Sequence, residues 1–391
     1  MMTKTLSTKI KILFLFISLL YGFVPFEASS FDKSFQIHTF FLILIMLYAF
    51  YSNNFKISKY SAIFFTTMIF IMSILFFISY GRSIYPLVVS LLFVSFVTPA
   101  IYNNPSFKYQ FTQALLILII TSVFMVFLQT FIFFMTNNIL LIHEFVFPFS
   151  QARIGEEVQY NNLTRMGGMY IEPGTYSNYM FILLTLYMLL KKKLASTLIF
   201  FTAISMILTY SLWGMIFAGY LLVLVSFVNI IKLPWKSKLF LLIALIFIAL
   251  YGISTLKNSD MVQFGIEKMT RNSQEGSTAS KKQAYEVYLN TFEDFFIIGD
   301  GFAPKIRNEV SNIQDAGLLL NISVVFGVIF TLILLAMYIT FFLILADYTI
   351  LLASVPLFLS KLFYWDPGIW LLFFMLIYGY IVRNTSNKEN N

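Results

Sequence analysis

Apolar stretches of roughly 20 residues, separated by short polar turns, recur along most of this chain. A stretch of that length crosses a bilayer as a helix, because every backbone N–H and C=O is then paired within the segment. The composition, 59% hydrophobic and 11% charged, is typical of a membrane protein and not of a soluble domain. Twelve spans can be placed, near residues 10–26, 35–51, 60–79, 84–101, 112–135, 176–190, 195–210, 212–231, 238–255, 317–345, 347–363 and 366–382. The sequence therefore predicts an all-α polytopic membrane protein, a single integral membrane domain over residues 1–391.

The basic residues predict how these spans are oriented, because lysine and arginine in short loops stay preferentially on the cytoplasmic side. With the N-terminus inside, fourteen lie in cytoplasmic loops or ends, and three lie in short outer loops. The fourteen are Lys4, Lys9, Lys11, Lys56, Lys59, Lys108, Lys191, Lys192, Lys193, Lys232, Lys236, Lys238, Arg383 and Lys388, and the three are Lys33, Arg82 and Lys361. We therefore expect both termini in the cytoplasm, and we ascribe the net charge of +8 to topology and not to nucleic-acid binding.

Two alternatives affect this topology. The apolar run 194–231 is divided at Tyr210-Ser211 without a Gly or Pro to mark the break, and an undivided run would reverse the orientation of everything after it. The first span follows three lysines and precedes Ala28-Ser29-Ser30, which is also the order of a secretory signal peptide. We favour a span because the apolar stretch is long enough to cross the bilayer.

Polar residues are concentrated in two long loops, 137–175 and 256–316, which this topology places outside and which we expect to contain short helices. The chain has no cysteine and only two histidines, His38 and His143, so thiolate and His-rich metal sites lack ligands. It also has no Gly-x-x-x-x-Gly-Lys-Ser/Thr loop and no Gly-x-Ser-x-Gly elbow, and neither outer loop has an Asp-x-Asp pair. We therefore expect no metal and no cofactor, and we expect His143 to be an interfacial histidine.

The first outer loop contains the run Arg165-Met-Gly-Gly-Met-Tyr-Ile-Glu172-Pro173-Gly174, in which Arg165 is an isolated cation of a mildly acidic segment. A guanidinium stays charged and forms paired hydrogen bonds with phosphate oxygens. The two glycines would let the backbone approach a ligand, and Pro-Gly turns the chain back into the next span. The run fits a lipid-linked phosphate. In the alternative interpretation, Arg165 pairs with Glu172 or with lipid headgroups and the Gly and Pro residues only shape a turn.

The second outer loop has a basic middle followed by an aromatic stripe. Lys268, Arg271, Lys281 and Lys282 face only Glu275 in the segment 268–282, so this segment could meet an anion. The apolar residues that follow recur at spacings of three and four, which predicts an amphipathic helix on the membrane or over a cavity. They are Tyr285, Tyr288, Leu289, Phe292, Phe295 and Phe296, and the predicted helix ends at the turn Gly299-Asp300-Gly301.

Two further residues are candidates on the outer side. Asp315 stands at the mouth of the tenth span, where it could cap the helix or serve as a general base with Gln314 and Asn321 nearby. Arg82, between the third and fourth spans, is a third isolated arginine.

These features together resemble the O-antigen polymerase (Wzy-type) branch of the O-antigen polymerase and ligase superfamily. The shared features are about twelve spans, an outer loop with Arg-x-Gly-Gly-x-Tyr-x-Glu-Pro-Gly after the fifth, the Tyr-Ser break between the seventh and eighth, and Gly-Asp-Gly in a large outer loop before the tenth. The resemblance covers the whole topology, with its motifs at 165–174 and roughly 281–327.

The resemblance implies a metal-independent glycosyltransferase on the outer face of the bacterial plasma membrane. Such a polymerase moves the growing glycan of an O-antigen or capsular polysaccharide from undecaprenyl pyrophosphate onto the terminal sugar of an incoming lipid-linked repeat unit. Donor and acceptor are then both undecaprenyl pyrophosphate-linked oligosaccharides within the lipid bilayer. A flippase and a chain-length regulator are the implied protein partners.

The same resemblance implies roles for single residues. Arg165 would bind the donor pyrophosphate, with Gly168 and Tyr170 of the same run beside the substrate, and Glu172 would hold the loop or face the reacting sugars. Lys281 or Lys282 stands where relatives often have an arginine, and Arg271 could substitute for it; Arg82 is a further candidate for phosphate binding. The general base is Asp315 or Glu172.

Two rival functions remain at this stage. Ligases of the superfamily commonly have a histidine just before the tenth span, where this chain has Gln314-Asp315. A flippase or solute transporter would carry ionisable groups near the middle of the membrane. The spans of this chain carry almost none, and its polar residues gather outside, which favours surface chemistry on a lipid-linked substrate.

Overall fold

The computed structural model describes residues 2–25, 31–56, 58–78, 84–148, 150, 159–160, 163–231, 277–291, 296–301, 317–345 and 348–389. These residues are helical apart from short connections and one hairpin of two-residue strands. The helices are α1 (Met2–Phe23), α2 (Phe31–Ser52), α3 (Lys59–Ile78), α4 (Ile84–Asn103), α5 (Pro105–Thr136), α6 (Ile142–Val146), α7 (Pro173–Lys191), α8 (Ser196–Leu208), α9 (Leu212–Ile231), α10 (Ser277–Asn290), α11 (Leu318–Phe326), α12 (Val328–Leu345), α13 (Tyr348–Ser354) and α14 (Pro367–Glu389). The strands β1 (Gln159–Tyr160) and β2 (Leu163–Thr164) pair antiparallel, Gln159 opposite Thr164.

Membrane-spanning character is confirmed for the described part of the chain. Five helices, α1, α4, α5, α12 and α14, are long and apolar enough to cross a bilayer. Shorter apolar segments lie in α2, α3, α8 and α9 and at residues 348–359. The count of twelve spans stays a prediction, and the ninth, near 238–255, lies outside the described residues.

The chain divides into two compact units. The first contains residues 1–121, 178–194 and 280–391. Within it α4 packs against α2, α3 and α14, and α14 also packs against α12. Side chains of α4 tie this packing to backbone groups: the Ser90 hydroxyl donates to the Trp365 carbonyl at 2.5 Å, and the Tyr102 hydroxyl donates to the Met375 carbonyl at 2.8 Å.

The start of α14 shows why Trp365-Asp366-Pro367-Gly368 forms a turn. Pro367 is the first helical residue, where its fixed φ and missing N–H carry no cost. Asp366 caps the helix, its Oδ1 accepting from the Gly368 N–H at 2.8 Å. This side chain is only 3% exposed, so the cap is an internal contact of the first unit.

The predicted tenth span, 317–345, is wrong as one continuous helix. It is interrupted at Gly327, which has a φ of +98° and separates α11 from α12. The segment 296–301 fills the break: the Asp300 N–H donates to the Val324 carbonyl at 2.7 Å, and the Ile329 N–H donates to the Phe296 carbonyl at 3.1 Å. A methyl group added at Gly299 would collide with the Val325 carbonyl, so a glycine is required there. The Gly-Asp-Gly turn therefore packs against the interruption between α11 and α12.

The predicted amphipathic helix is shorter than expected. α10 ends at Asn290, and Phe296 lies in a bend beyond it, while Phe292 and Phe295 lie outside the described residues. Tyr288 contacts α11 through its hydroxyl, which accepts from the Ser323 hydroxyl at 3.1 Å. Because the apolar spacing continues past Asn290, the sequence alone gave no stop signal.

The second unit contains residues 122–177 and 195–279. It holds the end of α5, then α6, the β1–β2 hairpin, the start of α7, and the packed pair α8 and α9. The predicted break at Tyr210-Ser211 is confirmed: α8 ends at Leu208, α9 begins at Leu212, and Tyr210 has a φ of +48°.

Candidate functional site

The candidate site is built on residues 165–172, which we call the arginine loop. It follows β2 directly and leads into Pro173, the first residue of α7. A tight turn forms its centre, in which the Tyr170 N–H donates to the Gly167 carbonyl at 3.0 Å and Gly168 has a φ of +59°. Residues 166–171 are all buried, so the loop packs into the second unit.

Gln129 on α5 fixes the turn. Its side-chain oxygen accepts from the Gly168 N–H at 2.9 Å, and its side-chain nitrogen donates to the Leu140 carbonyl at 2.7 Å. A methyl group at Gly168 would lie 2.9 Å from Cγ2 of Val126. The close approach to α5 explains why a glycine is needed here, and its predicted part in substrate binding stays a prediction.

His143 on α6 holds the next residue of the loop. Its Nδ1 lies 2.7 Å from the Met169 carbonyl oxygen, and its Nε2 lies 2.8 Å from the Ser150 hydroxyl. The side chain is fully buried, and desolvation lowers the pKa of the imidazole despite this carbonyl contact and nearby Glu144. His143 is therefore an internal brace of the arginine loop, and its position at the membrane interface stays a prediction.

Tyr170 anchors the far side of the turn. It is fully buried, its hydroxyl is hydrogen-bonded to Ser122 of α5, and its ring meets Tyr176 edge-on at 5.3 Å. The Tyr176 hydroxyl in turn lies 2.5 Å from the Ser205 hydroxyl of α8. Tyr170 has no exposed surface and supports the loop in this structure, and its predicted contact with the substrate stays a prediction.

Arg165 lies just before the turn at residues 167–170, and its side chain is mostly buried. Burial lowers the pKa of its guanidinium, and the nearby charge of Glu172 opposes that shift. Its Nε is buried and has no hydrogen-bond partner in the part of the chain that the structure describes. A buried N–H without an acceptor is costly, by roughly 1–3 kcal/mol. The Nε–H of Arg165 therefore needs an oxygen acceptor that the described residues do not supply.

Glu172 occupies the N-cap of α7. Its carbonyl accepts from the Tyr176 N–H at 3.2 Å, and its Oε1 accepts from the Thr175 hydroxyl at 3.0 Å. A methyl group at Gly174 would lie 3.8 Å from the Ser211 Oγ and 4.0 Å from the Glu172 Oε1. The carboxylate, the start of α7 and the Tyr210-Ser211 turn therefore lie close together.

The structure does not describe the side chains of the remaining predicted residues. Arg82, Arg271 and Asp315 lie outside the described residues. Lys281 and Lys282 lie on α10, whose backbone alone is described at these two positions. Their part in phosphate binding, and that of Asp315 as base, stay predictions.

Three of the bracing residues were missed by sequence reasoning. Gln129 carries a detectable signal, since it is an amide inside a long apolar run, where an unpaired polar group is costly. Ser122 carries none, because a serine is easily accommodated in any helix. Ser205 likewise carries none.

The described residues contain no group of three His, Asp or Glu side chains that could hold a metal ion. The chain matches no family model, no curated protein and no solved structure. Functional assignment therefore depends on the chemistry of the arginine loop.

Proposed function

We propose that this chain is a polymerase of lipid-linked oligosaccharide repeat units. It would transfer the growing glycan from a polyprenyl pyrophosphate to the terminal sugar of an incoming lipid-linked unit. The observation that carries the proposal is the partly desolvated Arg165 with its unpartnered Nε, set on a braced loop beside the Glu172 carboxylate.

Leaving-group chemistry supports this assignment. When the acceptor hydroxyl oxygen bonds to the anomeric carbon, the bond from that carbon to the pyrophosphate oxygen breaks and its electron pair leaves with the pyrophosphate. A fixed cation beside that oxygen stabilises the charge that develops, most strongly where water is excluded. Arg165 offers planar paired donors and stays charged at neutral pH, which suits it to two oxygens of one phosphate.

Preorganisation of the loop also supports it. Gln129, His143 and Ser122 hold three successive residues of the turn, 168 to 170, by hydrogen bonds. A site held this firmly loses little energy to rearrangement as charge develops. Three side chains bracing one short turn are more than a simple connection between helices needs.

Glu172 completes the proposed chemistry. Attack by the acceptor hydroxyl releases one proton, which a carboxylate can take. Glu172 is half-buried, and its Oε1 accepts from the Thr175 hydroxyl, so the carboxylate has a defined position. We assign it either to this proton transfer or to positioning Arg165.

The test is complementation in the host after deletion of the gene, with the surface polysaccharide resolved on a gel. The deletion strain should carry single repeat units, and the wild-type gene should restore the polymer ladder. Arg165→Ala should fail to restore it, and Arg165→Lys should restore it weakly, because lysine keeps the charge but loses the paired hydrogen bonds. Lys191→Ala, the loss of an exposed cation in the last turn of α7, is the matched control.

Each other outcome contradicts the proposal in a distinct way. Full-length polymer left on its lipid carrier in the deletion strain would indicate a ligase. An unchanged glycan profile in the deletion strain would show that the protein does not act in polysaccharide synthesis. A normal ladder from Arg165→Ala, with protein levels equal to wild type, would remove Arg165 from the reaction.

A further inference from the structure

A cavity of about 350 Å³ lies among α3, α12 and α14 of the first unit. Its floor is made of buried rings, among them Tyr338 at 1% and Phe374 at 1% exposure. Its rims are exposed apolar side chains, Ile63 of α3 at 53% and Ile333 of α12 at 54%. The cavity is therefore a lateral groove, open along the outside of the helices.

The groove offers almost no hydrogen bonds to an occupant. Among its lining residues, the Tyr338 hydroxyl donates to Ser354 at 2.7 Å, and the Trp370 indole N–H donates to the Tyr364 carbonyl at 2.6 Å. The Thr67 hydroxyl donates to the Ile63 carbonyl of its own helix at 2.9 Å. Since these polar atoms are already paired, the occupant that matches the groove is a hydrocarbon chain.

The surroundings of the groove point to a lipid as the source of that chain. Two of its three walls, α12 and α14, are long and apolar enough to cross a bilayer. The apolar surface continues past the rim, since Leu332 beside Ile333 is 57% exposed. Such a surface faces lipid tails in a bilayer, so bilayer lipid is the nearest source of a hydrocarbon chain.

One end of the groove carries positive charge. Tyr60 of α3 and Ile381 of α14 line that end, and the ring of Tyr60 meets Tyr378 edge-on at 6.3 Å. Lys59 immediately precedes Tyr60, and Arg383 follows Ile381 by two residues; both are exposed. One Arg383 nitrogen donates to the Ile344 carbonyl at the end of α12, so the guanidinium is held at this end of the groove.

The charge of this end is positive in the sequence as well. Near the ends of these helices and in the flanking chain, four basic residues stand against two acidic ones: Lys56, Lys59, Arg383 and Lys388 against Asp347 and Glu389. A headgroup there has two exposed cations within reach of its phosphate, and each basic residue near a membrane surface contributes to anionic lipid binding. The same end is the one that the basic residues predict to be cytoplasmic.

We propose that this groove is a binding site for an anionic phospholipid of the bilayer, with an acyl chain along α14 and the phosphate at Lys59 and Arg383. This site is independent of the proposed glycosyl transfer. The lipid would join α3, which lies against α4, to the pair α12 and α14, and so add to the contact between Tyr60 and Tyr378.

The experiment uses the full chain, purified in detergent, and native mass spectrometry with phosphatidylglycerol or phosphatidylcholine added at equal concentration. Wild type should retain phosphatidylglycerol, with a preference of roughly thirtyfold if each of the two cations contributes its usual share. Thr67→Trp, which fills the groove, should abolish retention. Thr66→Trp is the matched control, because Thr66 is also exposed, also donates to the carbonyl four residues earlier, and is not part of the lining.

A second pair of variants tests the groove if Thr67→Trp fails to fold. Ile333→Trp fills the groove from the opposite rim, and Leu332→Trp places the same side chain on the neighbouring exposed position outside the lining. Replacing Lys59 and Arg383 together by alanine should remove the headgroup preference and leave chain binding; Lys191→Ala with Lys193→Ala removes two exposed charges elsewhere.

Three results would overturn the proposal. One is equal retention of both phospholipids by wild type, and another is retention unchanged by both groove-filling variants. The third is displacement of phosphatidylglycerol by an equal concentration of polyprenyl phosphate, which would make the groove a substrate site. The mass-spectrometry assay tests only the lipid site, and the gel assay tests only polymerisation. Failure of one proposal is therefore recognised independently of the other.

Discussion

The imidazole Nδ1 of His143 lies 2.7 Å from the carbonyl oxygen of Met169, so a hydrogen bond joins α6 to the arginine loop. A carbonyl only accepts, which requires the proton on Nδ1. Nε2 of the neutral ring then accepts from the Ser150 hydroxyl at 2.8 Å. The neutral tautomer satisfies both contacts without a charge in this buried place.

Acid should destabilise the protein through His143. Burial lowers the pKa of this imidazole in the fold, so the unfolded chain binds more protons and stability falls as the pH drops below about 6.5, the ordinary value for histidine. His143→Gln should flatten the dependence of the midpoint of thermal unfolding on pH between 7 and 5, while lowering stability at pH 7.5. A slope that His143→Gln leaves unchanged would show that the pH dependence has another source.

Gly168→Ala should destabilise the fold by about 1–3 kcal/mol, because the residue has a φ of +59° and the new methyl group would lie 2.9 Å from Val126 Cγ2. Adding Val126→Ala should recover the steric part but not the backbone part. Gly219→Ala in α9 is the control: its methyl group meets nothing within 4 Å, so alanine should be neutral or stabilising by up to about 1 kcal/mol. Thermal unfolding in detergent measures all four proteins.

Gln129→Leu should leave two backbone groups without a partner, the Gly168 N–H and the Leu140 carbonyl. Each should lower the free energy of unfolding by about 1–3 kcal/mol. Gln129→Glu should also destabilise, since the carboxylate keeps an acceptor for Gly168 but offers no donor to Leu140. Gln113→Leu, at a half-buried position of the same helix, should have little effect. Equal unfolding midpoints for the variants at both positions would show that the amide bridge does not hold the loop.

Gly299→Ala should be among the most damaging single changes, because its methyl group would collide with the Val325 carbonyl and neither backbone can yield without breaking the pairing at Gly327. Ile298→Ala, at the adjacent residue with a 51% exposed side chain, should stay within about 0.5 kcal/mol of wild type. Protein yield and unfolding midpoint compare the two. A wild-type midpoint for Gly299→Ala would disprove the close packing of this turn.

Span positions were predictable where apolar length alone determines a helix. The predicted span 84–101 corresponds to α4 over Ile84–Asn103, and the break at Tyr210-Ser211 was found where two spans met. The break at Gly327 was not predictable, because a glycine within a long apolar run is tolerated in most helices. Residues 296–301 pack against this break, and although their Gly-Asp-Gly turn is visible in the sequence, nothing in it indicates which segment it contacts.

The charged residues of the candidate site stand out in the sequence, whereas the residues that hold the loop in place do not. Arg165 and Glu172 stand out as charges beside glycine and proline, and the structure places them close enough for the carboxylate to influence the guanidinium. The bracing by His143 acts on a backbone carbonyl, and a backbone acceptor leaves no trace in the identity of Met169. Sequence patterns record which side chains are present, and hydrogen bonds to the main chain depend on the fold.

The pairing of residues 296–301 with the break at Gly327 has a consequence for biogenesis. Residues 296–301 are synthesised before α11 and α12, so their backbone groups already exist when the two helices leave the ribosome. Without these residues the carbonyls of Val324 and Val325 would lack the backbone donors that they have in the fold, and an unpaired buried carbonyl is costly. We therefore expect the break between α11 and α12 to reach its final form only when residues 296–301 are docked against it.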